Sequence, residues 1–283
     1  MCSCNACVDV AVVGFGPAAL YVAGKLAAEG YDVTVLGRPF EVFPEFVTAE
    51  AVDEFQIKDF VLEEINRIAV FSKKFRLAEK DVKGAVIDSQ SLVNEMKLTA
   101  SKYGADILAN SQVAFSKSKK KLRVTWLGRS ISASPDAVVM EASEGAPVPV
   151  IEASRVPVNK DTLEFYQKNS MWVLPAGRTV LIEGSTDLSW HKFINAAILR
   201  TAQIHLPPRR ALIEGSLLRV GRAAGQASGP GWIVEEGLYA GKLLFECLLD
   251  YLEGDDGALR VYEKMPQKSS LTAVLNGSAS KNI

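Results

Sequence analysis

Histidine is nearly missing from this sequence: His191 and His205 are the two present. Neither stands in a nucleophile or metal motif. There is no Gly-x-Ser-x-Gly elbow, no His-Glu-x-x-His and no Walker phosphate loop, so the common carriers of acyl transfer, zinc hydrolysis and P-loop phosphoryl transfer are lacking. Excess charge is lacking too. The 32 Lys+Arg against 33 Asp+Glu leave a net charge of −1, and no global field draws the chain to nucleic acid. No unbroken apolar run approaches the roughly 20 residues that span a bilayer. Cysteines are few and badly spread for a disulfide framework: Cys2, Cys4 and Cys7 crowd together and Cys247 stands alone. Residues 1–7 carry no basic segment, and Gly14, Gly16, Pro17 and Lys25 break the apolar stretch that follows. No secretory leader is read here, and the expected compartment is the cytoplasm.

What is present suits an α/β enzyme. The chain has 283 residues, 48% of them hydrophobic, enough for a full core in one large domain or two interleaved ones. Val8 to Val13 is a short apolar run of the kind that forms a buried parallel strand. A glycine turn follows, then a helix from Leu20 to Glu29 that Gly30 stops, then a strand from Asp32 to Leu36. Residues 38–60, with Pro39, Pro44 and several phenylalanines, are expected to be irregular. Ser89 to Tyr103 reads as a helix closed by Gly104, and Asp106 to Leu108 as a strand. Gln112 to Phe115 and Leu122 to Trp126 read as a hairpin, and Asp136 to Glu141 as a further apolar strand. Between 142 and 186, strand-like pieces at Val148–Ile151, Met171–Leu174 and Thr179–Ile182 are separated by Pro and Gly turns, which predicts a small antiparallel insertion. Leu217–Val220, a glycine-rich turn and a long helix from about Ile233 to Leu252 restore the α/β pattern. The polar tail after Gly254 is expected to be loosely held.

The turn Gly14-x-Gly16-Pro17-Ala18-Ala19 has the G-x-G-x-x-[G/A] form of a dinucleotide fingerprint. Each small residue has a steric reason. Gly14 makes the tight turn out of the strand. Gly16 lets backbone approach a pyrophosphate, and Ala19 lets the helix pack on the sheet. The helix N-terminus then offers free N–H groups and partial positive charge to phosphates. One expected group is missing. The carboxylate that closes the second strand and holds a ribose is Gly37 here, followed by Arg38. Arg38 has three open roles: stacking on adenine, meeting a 2′-phosphate, or simple exposure.

Two later segments extend the pattern. Asp136 to Gly145 is an apolar strand running into a small-residue turn. Leu218-Arg219-Val220-Gly221-Arg222-Ala223-Ala224-Gly225 is followed by Gly229-Pro230-Gly231-Trp232-Ile233, then Gly237 and Gly241 on a helix. Successive glycines and alanines that leave a strand and open a helix make a cradle for a large ligand. This segment, with Trp172-Val173-Leu174-Pro175-Ala176-Gly177 and the helix ending in Tyr103-Gly104-Ala105, resembles the geranylgeranyl reductase family within the FAD-dependent reductase and monooxygenase superfamily. In order, the pieces span most of residues 8–250.

The resemblance implies a Rossmann-type FAD/NAD(P)-binding domain from 8–141 and 216–253. It also implies a small antiparallel β-sheet substrate region at 142–215, between a Cys-rich extension at 1–7 and a tail at 254–283. It implies FAD as cofactor, held by Gly14, Gly16, Pro17, Ala18, Ala19, Arg38, Gly221, Arg222, Ala223, Ala224, Gly225, Gly231, Trp232 and Ile233. Reduced flavin would then deliver hydride to an apolar, isoprenoid-like double bond, with no side chain singled out as catalytic. Trp172 and Trp190 are the candidate substrate walls. The partner supplying electrons would be NAD(P)H or ferredoxin. A cofactor-contacting Asp of the family is Arg222 here, a planar fork of donors in place of a carboxylate. Two other readings stay open: a non-catalytic binding or regulatory protein on a degenerate flavoprotein scaffold, and an FAD monooxygenase or dehydrogenase.

Three further features carry paired readings. Cys2, Cys4 and Cys7 are either a metal or electron-relay cluster short of a fourth ligand such as Cys247, or free thiols on a frayed end, and the second is preferred. Lys117 to Lys121 is a solvated hairpin tip in preference to a headgroup contact, so membrane contact is at most peripheral. His191 lies near the substrate or, in the preferred reading, is a partly exposed structural residue.

Overall fold

Val10–Val13 (β1) is buried along its whole length, as four consecutive apolar residues demand when both faces of a sheet are covered. In the computed structural model, which describes residues 8–39, 42–72, 75–116, 121–141, 146–167, 170–184, 193, 195–206, 211–224 and 233–264, β1 lies at the centre of a six-stranded sheet. The helix Pro17–Ala28 (α1) leads from it to Val33–Gly37 (β2), paired parallel at its side. Asp106–Ala109 (β6) extends that side, also parallel. On the other side lie Ala137–Met140 (β10) and Leu217–Arg219 (β17), both parallel, and then the short antiparallel Ile213–Glu214 (β16). The order is β16-β17-β10-β1-β2-β6.

The two faces of this sheet are covered differently. On one lie α1, Ser89–Lys102 (α3) and Ile233–Leu252 (α4), with Leu20, Val22, Leu26, Leu244 and Leu248 in a common core with Val10, Val12 and Val139. On the other lies a three-stranded antiparallel meander of Gln112–Ser116 (β7), Lys121–Trp126 (β8) and Arg129–Ala133 (β9). Its Leu122 and Val124 pack against Ala11, Val13, Leu36 and Val138. The expected hairpin is thus two strands of a meander.

A second sheet has eight strands, in the order β15-β11-β14-β13-β12-β4-β5-β3. Ala146–Ser154 (β11), Thr162–Tyr166 (β12), Met171–Ala176 (β13), Thr179–Glu183 (β14) and Ala197–Leu206 (β15) come from the part expected to be a small insertion. Their neighbours within that part are antiparallel. The sheet also takes Glu45–Thr48 (β3), Val61–Ser72 (β4) and Phe75–Ile87 (β5). Among the described residues of this sheet, only β12 and β4 pair parallel.

The segment expected to be irregular, 38–60, thus contains regular structure from Glu45 on. β3 pairs with the end of β5, Glu45 opposite Ile87. Thr48 then starts the helix Ala49–Glu54 (α2), its hydroxyl accepting from the Ala51 N–H at 3.3 Å. The start of the expected loose tail is also ordered: Ala258–Lys264 (α5) buries Tyr262 completely, and the Tyr262 hydroxyl donates to the Arg219 carbonyl at 2.8 Å. No described helix is long and apolar enough to cross a membrane.

Candidate functional site: two glycine bends and a buried carboxylate

In open parallel sheets, ligands bind beyond the carboxyl ends of the strands, where successive connections leave in opposite directions. Here that point lies between β1 and β10. Gly14 leaves β1 with φ +127°, and its N–H donates to the Leu36 carbonyl at 2.8 Å. The chain then enters α1 with Pro17 in its first turn, where the missing N–H costs nothing. β17 ends beside it in the 3-10 turn Gly221–Ala224, with Gly221 at φ +55°. The two bends meet: a Cβ on Gly221 would lie 3.1 Å from the Ala18 Cβ. Gly237 and Gly241 bring α4 onto the same turn, since a Cβ on Gly241 would approach the Ala18 carbonyl to 2.8 Å. Gly14, Gly16, Pro17, Ala18, Ala19, Gly221, Arg222, Ala223, Ala224 and Ile233 are thus gathered around one crevice, and all but Gly14 and Gly16 of them belong to helical turns.

One side chain that the sequence reading did not single out stands in that crevice. Glu141, the residue after β10, is fully buried and accepts the Ala19 N–H at 2.8 Å through Oε2. Its carboxylate lies directly over Gly16, where any Cβ would overlap it, and a Cβ on Gly221 would come within 2.8 Å of Oε1. Oε1 itself makes no hydrogen bond among the described residues. A carboxylate at a helix N-terminus is stabilised by the free N–H groups and the helix dipole. Here it takes the place that the fingerprint geometry reserves for a phosphate. Burial nevertheless pushes the Glu141 carboxyl up to about 7, against the pull of the Ala19 amide and of Arg222.

The start of α4 repeats the device. Glu45, on β3, accepts the Val234 N–H at 2.8 Å and is held up at about 7 by burial, against the pull of that amide and of Arg222. Glu235, in the first turn of α4, reaches back to β3 and accepts from the Thr48 N–H at 2.7 Å and the Thr48 hydroxyl at 3.1 Å. Arg222 is buried, and the fields of Glu141 and Glu45 both favour its cation against the cost of that burial. Glu183, at the end of β14, is fully buried with neither oxygen hydrogen-bonded among the described residues, and burial raises its carboxyl well above the usual range. An acid closing an apolar strand, as in Met140-Glu141, is the sequence signal that marks the first of these groups.

The remaining candidates divide. Trp172 is buried in β13, its ring 4.5 Å from that of Phe165, in the apolar cluster that also contains Phe43, Leu174 and Ile233. It is a core residue, in the same cluster as the first residue of α4. Arg38 is exposed past the end of β2. Gly37, which replaces the expected acid, has φ +117°, and its N–H donates to the Ser111 hydroxyl at 2.7 Å. A side chain there would be strained, so this backbone conformation disfavours an acid at the position. Gly225, Gly231, Trp232, Trp190, His191, Lys117 to Lys120, and Cys2, Cys4 and Cys7 lie outside the described residues. Cys247 is buried on α4, and no cluster of metal-ligating side chains occurs among the described residues.

The architecture, a parallel sheet between helices and a β-meander beside a large, mostly antiparallel sheet, resembles that of FAD-binding Rossmann-type flavoproteins. No protein-family model and no curated protein sequence matches the chain. Solved structures do. A geranylgeranyl bacteriochlorophyll reductase-like protein from Thermoplasma acidophilum superposes with a TM-score of 0.70 at 17% identity, covering 90% of this chain and 82% of that one. The p-nitrophenol 4-monooxygenase of Pseudomonas putida gives 0.76 at 16% identity, covering 98% and 90%. A myxobacterial chondrochloren halogenase, a variant of the FAD-dependent halogenases, gives 0.69 at 14%, covering 91% and 78%. At these identities the likeness establishes the fold.

The main chain of the crevice fits the cofactor that this fold implies, because Gly16 and Gly221 leave it bare of Cβ atoms on both sides. The heavy atoms nearest to a Cβ built on Gly16 are the three of the Glu141 carboxylate.

Proposed function

We propose that this chain is an FAD-dependent oxidoreductase, and that its reaction is of the geranylgeranyl reductase kind, reduction of an apolar, isoprenoid-like double bond. The observation that carries this reading is the meeting of the Gly14–Ala19 and Gly221–Ala224 bends at the carboxyl ends of β1, β10 and β17. The N–H groups at the start of α1, which the Glu141 carboxylate engages in the ligand-free protein, would hold the diphosphate, with Arg222 adding a buried cation beside it. Bound flavin supplies the hydride chemistry. The protein's part is position and exclusion of water. Phe43, Trp172, Leu174 and Ile233, the first residue of α4, belong to one buried apolar cluster, which would keep water from that side of the crevice and suits an apolar substrate. The electron donor is a reduced nicotinamide or a ferredoxin-type protein, and the compartment is the cytoplasm.

Glu141 in the crevice favours a second reading, a binding protein on a flavoprotein scaffold that holds no dinucleotide. The two part in one assay. Protein loaded with FAD and reduced anaerobically is mixed with a short prenyl substrate such as geranylgeraniol. The enzyme reading expects reoxidation of the flavin at the rate at which the saturated product forms, without oxygen. Reoxidation only when oxygen and an aromatic substrate are added would replace the reductase with a monooxygenase. A chain that takes up no FAD at any concentration leaves the scaffold reading.

A further inference from the structure

We infer that Glu141 is an internal stand-in for the diphosphate: its carboxylate plugs the glycine cradle and has to be expelled before a dinucleotide can bind. The inference rests on the reading of this crevice as a dinucleotide site, and it adds a control that this reading does not contain.

Four observations converge on it. The carboxylate accepts the Ala19 N–H at 2.8 Å, and the Ala18 N–H acts on it as well. These are the amides a phosphate would use at the start of a helix. The oxygens lie where Gly16 and Gly221 have both given up a Cβ, so the bare surface on each side serves the carboxylate first. The plug is tied to the sheet by its own backbone, because the Glu141 N–H donates to the Val13 carbonyl at 2.9 Å. It is also poorly held for a buried ion. Oε1 has no hydrogen-bond donor among the described residues, and burial favours the neutral form, which binds helix amides less well.

The physical consequence is a competition within one cradle. A carboxylate and a diphosphate cannot share the space over Gly16, and two anions in one dry crevice repel each other. A diphosphate offers more acceptor oxygens and more charge to the same amides and to Arg222. It therefore wins once the side chain can swing away. Glu141 keeps the helix N-terminus satisfied in the empty protein and weakens every ligand that enters by the same door. The residue sets affinity for the cofactor without touching the reacting atoms.

The test compares the full chain with E141A and E141Q, using FAD and inorganic pyrophosphate as separate probes, each followed by calorimetric titration and by thermal shift. E141A removes the plug. E141Q keeps its size but lacks the charge, and guards against a variant that fails to fold. E141A is expected to bind both probes about tenfold more tightly or better than the native chain, with E141Q between them, because a charge-assisted hydrogen bond to an internal competitor is removed. Native protein that binds FAD as tightly as both variants overturns the plug and leaves the flavoprotein reading standing. Pyrophosphate binding that tightens in the variants while none of the three proteins binds FAD keeps the plug and removes the flavoprotein reading. No binding of either probe by any of the three proteins overturns both.

Discussion

Among the buried glutamates of the described residues, Glu45, Glu141 and Glu183 are the most completely shut off from solvent. Burial makes each a weaker acid than in the unfolded chain, and for Glu45 and Glu141 the folded value is about 7. The sign of the linkage follows. Between the ordinary value near 4.5 and about 7 the folded protein holds protons that the unfolded chain releases. Their contribution to stability is full at the acidic end of that window and is lost as pH rises through 7. The melting temperature of the ligand-free protein should therefore fall between pH 5 and pH 7.5, by an amount corresponding to a few kcal/mol. The double variant E45Q/E141Q should show a flatter profile. Thermal melts across that range check this, and a melting temperature that climbs with pH contradicts the assignment. None of these acids advertises itself by composition. Glu141 ends an apolar strand and Glu183 ends another, but nothing in the spacing of residues says that a helix terminus from 122 positions away will meet the first of them.

α1 and α3 were legible because each carries its own punctuation. α1 runs from the Pro17 turn to Gly30, and α3 starts at Asp88, whose carboxylate accepts the Ser91 N–H at 3.0 Å, and stops at Gly104. β3 and α2 were not legible. Their strand is only four residues long and sits among Pro39, Pro44 and aromatic side chains, and pairing with the distant end of β5 makes it a strand. The long β4–β5 hairpin carries many charged residues on exposed faces, so the alternation that marks a half-buried strand is weak. α5 was hidden in a polar tail: Ala258, Leu259 and Tyr262 are its buried residues, too few to mark a periodic face. Tyr262→Phe removes the donor to the buried Arg219 carbonyl next to the Gly221 bend. A loss of about 1–2 kcal/mol is expected, read from denaturant unfolding. A neutral result would mean that α5 does not support the bend.

At the scale of the whole molecule, two sheets meet at α4. Its glycine face closes on α1 and the parallel sheet, while Ile233 joins the apolar cluster of the eight-stranded sheet. The fingerprint turn foretold the first contact, since a strand, a glycine bend and a helix in that order leave few other folds. The extent of the second sheet could not be foretold, because three of its strands precede α3 in the chain and join through long-range pairing. The account stands on the crevice between the bends being a dinucleotide site. Titration of the purified, ligand-free chain with FAD, following the quenching of flavin fluorescence, tests this most directly. The account predicts saturable binding of one FAD per chain, competed by pyrophosphate and abolished by Gly221→Val, which would drive a branched side chain into Ala18 and Glu141. Fluorescence that stays constant at every protein concentration, in the native chain and in E141A alike, would contradict it.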